Sequence, residues 1–195
     1  MTRILHVTDI HCRNDKLRKV FDSASYDLVV SSGDFECVDT VELFLEEAGA
    51  PAVAVTGNID NPGVARLLRA KGALLDGRMV EVEGLVFAGI GGMEVVGNIR
   101  MLQSLSPSSG VDVLVSHHPP RGVLDRTFIG LRAGLKELWD IISSLKPRVH
   151  VFGHIHESSG FEERDGIIFV NPGPLAKGRY AVIDYDTGEV ELRSL

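Results

Sequence analysis

The chain has 195 residues and a mass of 21.2 kDa, enough for one domain to bury a sizeable core. Its 44% hydrophobic and 24% charged residues exclude disorder, and no apolar run approaches the roughly 18 residues of a membrane span. The net charge of −7, from 20 Lys plus Arg against 27 Asp plus Glu, excludes a dedicated binder of long nucleic acid, whose affinity rests on many basic contacts to phosphate.

In chain order, residues 4–7 read as a strand that ends in Thr8-Asp9-Ile10-His11. Residues 28–30 form a second, ending in Ser31-Ser32-Gly33-Asp34. A helix over 39–48, with Val41, Phe44, Leu45 and Ala48 at helical spacing, stops before Gly49. Strand 52–55 ends in Thr56-Gly57-Asn58, and helix 64–70 stops before Gly72 after Arg69 and Lys71. Strands follow at 80–83 and 85–90, then at 113–115, which ends in Ser116-His117-His118-Pro119-Pro120. A helix over 135–145 carries Leu138, Ile141, Ile142 and Leu145 on one stripe and closes at Lys146-Pro147. Strand 149–152 ends in Gly153-His154-Ile155-His156, and strand 167–170 in Asn171-Pro172-Gly173-Pro174. Strands 180–185 and 189–192 flank Asp186-Thr187-Gly188, a hairpin turn.

Near-continuous apolar strands suit sheets covered on both faces, and strand–helix alternation suits parallel βαβ units. The reading is a single α/β domain over 1–195, with two packed sheets between helices. The first strand begins at once, with no signal-like segment before it. Two cysteines, Cys12 and Cys37, cannot make a disulfide framework. They are expected in reduced form, in the cytoplasm, with no membrane partner. Oligomeric state is left open.

The residues with metal-ligand chemistry fall at the C-terminal ends of the buried strands, the edge where open α/β sheets bind ligands. Asp9, His11, Asp34, Asn58, His117, His154 and His156 would converge from loops far apart in sequence. Two cations roughly 3.5–4 Å apart need a carboxylate between them, and Asp34 on the Gly33-Asp34 turn suits that role. Residues two apart in an extended segment share a face, so Asp9 and His11 can grip one ion. His154 and His156 have the same spacing, and each imidazole can serve a different ion. Oxygen and imidazole donors together favour manganese, iron, nickel or zinc over calcium or magnesium. Singly, each motif is an ordinary turn. Together and in this order, they read as a metal centre.

Asp9-Ile-His11, Gly33-Asp34, Gly57-Asn58, Ser116-His117 and Gly153-His154-Ile-His156 resemble the calcineurin-like metallophosphoesterase family, and the 116–120 and 154–157 stretches resemble its compact phosphodiesterase-like branch. The resemblance implies a four-layer α/β/β/α sandwich. It implies that Asp9, His11, Asp34 and His156 hold one divalent ion and Asp34, Asn58, His117 and His154 the other, manganese foremost. It assigns catalysis to Asp34, Asn58 and His154 around a metal-bridging hydroxide, and the substrate to a small anionic phosphodiester such as a cyclic nucleotide. The alternatives are a phosphomonoesterase with the same metals and a metal-bearing protein-binding scaffold.

Asn58, His118 and Arg121 are the expected substrate contacts, although His118 and Arg121 also read as solvated neighbours. Glu157 and Ser158 are either partners of the ligands or a solvated loop. His6 and His150 read as structural, and Gly89-Ile-Gly91-Gly92 as a turn near the pocket rather than a dinucleotide fingerprint. Specificity is expected in loops 92–110 and 121–134. One position departs from the family pattern. Where many relatives carry a histidine thought to protonate the leaving group, this chain has Ile59, which has no proton to give.

Overall fold

The computed structural model describes residues 1–105 and 110–195. Among the described residues, eleven strands form two sheets. In the first, β1 (Arg3–Val7), β2 (Leu28–Ser31) and β3 (Ala52–Ala54) run parallel. On the other edge, β10 (Arg179–Asp184) pairs antiparallel with β1, and β11 (Val190–Ser194) antiparallel with β10. In the second, β5 (Leu85–Ile90), β6 (Val113–Ser116), β7 (Val149–Val151) and β9 (Ile167–Asn171) run parallel. Antiparallel β4 (Met79–Val82) and β8 (Gly160–Arg164) close its edges.

Alternation along each strand sorts its side chains into two cores. Ile4 of β1, Val30 of β2, Val113 and Val115 of β6 and Val149 of β7 meet between the sheets. Leu5, Val7 and Val29 face outward under α1 (Asn14–Ser23), α2 (Val38–Glu46) and α3 (Pro62–Ala70), which contribute Leu17, Val20, Phe44 and Leu68. Ala88, Leu114 and Phe169 face outward under α4 (Val95–Ser104) and α5 (Leu138–Leu145). The layers are therefore α/β/β/α, and burial on both strand faces explains the continuous apolar runs.

Several expectations change. The 92–110 loop contains α4, pinned by Asn98, whose Oδ1 accepts from Gly91 N at 3.0 Å; residues 106–109 of that loop lie outside the described residues. Leu135 does not begin α5. Its N–H bonds to the Pro119 carbonyl at 2.9 Å, tying it to the proline pair instead. Cys12 and Cys37 are not reduced but joined in a disulfide. The pair gives no support to a reducing compartment. Among the described residues, no helix is long and apolar enough to cross a membrane.

Candidate metal centre

The loops after β1 and β2 are laced together by main-chain bonds. Asp9 N donates to the Gly33 carbonyl at 2.9 Å, Ile10 N and His11 N to Asp34 at 2.9 and 3.0 Å, and Cys12 N to Phe35 at 3.1 Å. Asp9, His11, Asp34 and His154 all take positive φ, at 51°, 50°, 58° and 67°. Such conformations cost on the order of 1–3 kcal/mol each in residues with a Cβ, and they gather where function demands them.

These turns bring all seven expected ligands together. His156 Nε2 lies 3.0 Å from Asp9 Oδ1, and Asp9 Oδ2 accepts from the Thr8 hydroxyl at 2.8 Å and from His154 N at 3.1 Å. Asp9, His11 and His156 form one group whose donor atoms lie within 4.8 Å of one another; Asp9, Asp34 and His117 form another. His117 Nε2 is 2.7 Å from Asn58 Oδ1 and 3.5 Å from Asp34 Oδ2. The His154 ring lies 5.0 Å from that of His117.

Glycines allow this closeness. A Cβ on Gly57 would overlap the Asp34 carboxylate, and one on Gly153 would overlap Thr8 and the Asp9 carboxylate. A Cβ on Gly92 would strike the His117 ring at 2.8 Å, so the 89–92 glycine run is a close-approach turn beside the site. Contrary to the sequence expectation, a helix does follow it: α4 begins at Val95, and its Asn98 accepts from Gly91 N.

The donor chemistry fits cations. His117 Nδ1 must donate to the Ser32 carbonyl, 2.8 Å away, because a carbonyl only accepts. When the ring is neutral, Nε2 presents a lone pair that faces the amide oxygen of Asn58 and a carboxylate oxygen of Asp34. Acceptors converging with no proton among them are what a bound cation resolves. Burial raises the Asp34 carboxyl above its usual range, against the opposing pull of His117. Asp9 is more buried still, yet the bond from His156 and the nearby His117 hold it down at about 2. That same bond raises His156. Burial lowers His118 to about 3 and His154 to about 4, with His117 adding to both shifts.

Of the expected substrate contacts, Asn58 is in the cluster, and the His118 ring lies 4.3 Å from that of His154. Arg121 is not in it; its guanidinium reaches the Arg132 carbonyl at 3.4 Å within the exposed 121–134 loop. Glu157 and Ser158 fasten that loop, accepting from Phe128 N at 3.0 Å and donating to the Arg126 carbonyl at 2.7 Å.

Sequence reading missed the supports. Asp60 accepts from Asp34 N, Glu36 N and Gly57 N at 3.1, 2.7 and 2.7 Å, locking two ligand loops to one carboxylate. It directly follows Gly57-Asn58-Ile59, and an Asp after a Gly-Asn turn is the available signal. Ser32 acts through its main chain, which leaves no sequence trace.

Residues 2–188 match the family model for the calcineurin-like phosphoesterase superfamily domain. The chain belongs to that superfamily, a class of metal-dependent phosphoric ester hydrolases. It is 29% identical over 183 residues to a Caenorhabditis elegans UPF0046 protein, a match covering 84% of this chain and 46% of that protein. It is 26% identical over 151 residues to a probable cyclic nucleotide phosphodiesterase of Synechococcus, covering 69% and 59%. The chain spans less than half the length of the first curated relatives it matches. The fold resembles a Thermus thermophilus protein at TM-score 0.75, with 17% identity and 99% and 98% coverage. It also resembles an archaeal phosphodiesterase at TM-score 0.66, with 19% identity and 99% coverage of both chains.

Proposed function

We propose that this chain is a two-metal phosphodiesterase acting on small phosphodiesters, cyclic nucleotides among them. The observation that carries the reading is the meeting of three potential ligand atoms, His117 Nε2 lying 2.7 Å from Asn58 Oδ1 and 3.5 Å from Asp34 Oδ2. The name of the Synechococcus relative favours diesters.

Asp9, His11, Asp34 and His156 would hold one ion, and Asp34, Asn58, His117 and His154 the other, with manganese the first candidate. Two such ions activate water near neutral pH and neutralise phosphoryl oxygens. Asp34 would serve both sets, and its Oδ1 is steadied by Ile59 N at 3.2 Å. Asp9 divides its oxygens, Oδ1 toward His156 and Oδ2 toward the loop that carries His154, so one carboxylate registers both histidines. His118, whose ring lies 4.3 Å from that of His154, would be the side-chain contact to substrate. Ile59 can shield a leaving group but cannot protonate it.

The test is hydrolysis of a chromogenic phosphodiester and its monoester side by side, on apoprotein reloaded with manganese, nickel, zinc or magnesium. Faster turnover of the diester is expected. Preference for the monoester would assign a phosphatase, and metal binding without hydrolysis of either would favour the scaffold.

A further inference from the structure

The two loops that supply Asp9, His11 and Asp34 are joined covalently as well as by hydrogen bonds. Cys12 follows His11, Cys37 follows Glu36, and their disulfide closes a separation of 25 residues with Cα atoms 5.3 Å apart. It sits where one loop turns into α1 and the other into α2.

The ligands beside it are held with unequal firmness. Asp9, Asp34 and His117 are buried, and His117 is oriented by the Ser32 carbonyl. The His11 side chain is 23% exposed, and its charged partner, Glu36 at 3.4 Å, is 41% exposed. Such a pair orients its members poorly. His11, Cys12 and Glu36 also sit at φ of 50°, 58° and 62°, conformations that relax unless the surroundings enforce them. The disulfide is the covalent part of that enforcement. Both cysteines are half-buried, so a reductant can reach them.

We propose that Cys12–Cys37 is a redox-operated clasp that positions His11. Its state sets the affinity of the outer ion position, formed by Asp9, His11 and His156 with the shared Asp34, and leaves the inner position around Asp34, Asn58, His117 and His154 intact. The inference rests on the two-metal reading above. In a cell, the opening reaction is exchange with a dithiol: two electrons and two protons pass to the cysteines, giving two thiols, and the partner's own disulfide forms.

The test uses manganese(II) as the probe, with equilibrium dialysis and electron paramagnetic resonance as readouts. A phosphine opens the bond without chelating as a dithiol would; water oxygen goes to phosphorus, two thiols form, and the reagent is removed by desalting. The oxidised protein should bind two manganese ions. After reduction, one should stay tight and the other weaken at least tenfold, with recovery on reoxidation. Cys37→Ser should copy the reduced state. His11→Ala should weaken the same ion, and adding Cys37→Ser to it should cost nothing further, because both act through one side chain.

Equal binding of two ions in both redox states would overturn the clasp alone, as would two reactive thiols in protein kept under air. Tighter second-ion binding on reduction, lost in Cys12→Ser, would make the thiols ligands and also overturn it. Absence of manganese from both forms would overturn the two-metal reading along with the clasp.

Discussion

The imidazole of His117 is oriented by a main-chain oxygen: its Nδ1 lies 2.8 Å from the carbonyl of Ser32, 85 residues away and just past a strand of the other sheet. The bond fixes the tautomer and leaves Nε2 free to ligate. His117→Ala should therefore lower manganese affinity by at least about tenfold, the lower end of what even outer partners of metal ligands contribute. Titration calorimetry measures this, and unchanged affinity would remove His117 from the site.

Asp60 should matter as much to the fold as to the site. It accepts three main-chain N–H groups from two ligand loops. Asp60→Asn replaces one acceptor oxygen with an NH2 that faces donors, and should cost roughly 3 kcal/mol. Urea unfolding would report the loss, and a change under about 0.5 kcal/mol would contradict the accounting.

Gly57→Ala and Gly153→Ala each push a methyl group into a carboxylate that the site needs. Overpacking of this kind costs roughly 1–3 kcal/mol. Metal content should fall sharply in both variants while far-ultraviolet circular dichroism is retained. Gly110→Ala, where a Cβ meets nothing within 4 Å, is the matched control and should behave as the parent.

Acid should destabilise the protein through two histidines far from solvent. His6 and His150 are fully buried, and burial lowers each from 6.5 to about 3, opposed at His6 by Asp9 and reinforced at His150 by His6. As pH falls below 6.5, the unfolded chain takes up protons that the folded chain refuses. Stability is therefore whole above that pH and drains away toward about pH 3, by roughly 1.4 kcal/mol per pH unit for each histidine. His150 Nε2 lies 2.8 Å from the Ser116 hydroxyl, whose own hydrogen goes to the His118 carbonyl. The Ser116 hydroxyl thus keeps a partner in His150→Phe, and that variant should shift the acid-unfolding midpoint to lower pH. An unmoved midpoint would exonerate His150.

Ile59 is 44% exposed beside the ligands and offers no proton. Side-chain proton donation contributes about 10²–10⁴ in rate, so its lack should produce a steep dependence on leaving-group pKa across aryl phosphodiesters. Ile59→His should flatten the slope. A flat slope in the parent would show that another group already donates.

Which features the sequence revealed follows from burial. Strands β1, β2 and β6 bury every or nearly every residue, and their apolar runs mark them unmistakably. Helix α1 buries only Leu17 and Val20 amid charged neighbours, and α4 carries Gly97 and has no capping side chain, so neither announced itself. Strand β8 is a polar edge whose pattern resembles a loop. The proposed ligands stood out because strand ends concentrate unusual residue types. The Asp60 bonds and the Cys12–Cys37 pairing did not, since the first needs the loops after β2 and β3 to meet and the second those after β1 and β2.

The proposed ligands come from both sheets. Asp9, His11, Asp34 and Asn58 follow strands of the first, and His117, His154 and His156 follow strands of the second. An ion held among them would rivet the sandwich across its open end, and prying the sheets apart would mean giving up the ion. Loading should then protect amides of β1 and β6 against hydrogen exchange together, at strands that share no hydrogen bond, since what binds only the closed sandwich stabilises both halves alike. Half a sandwich, whichever half, holds no centre.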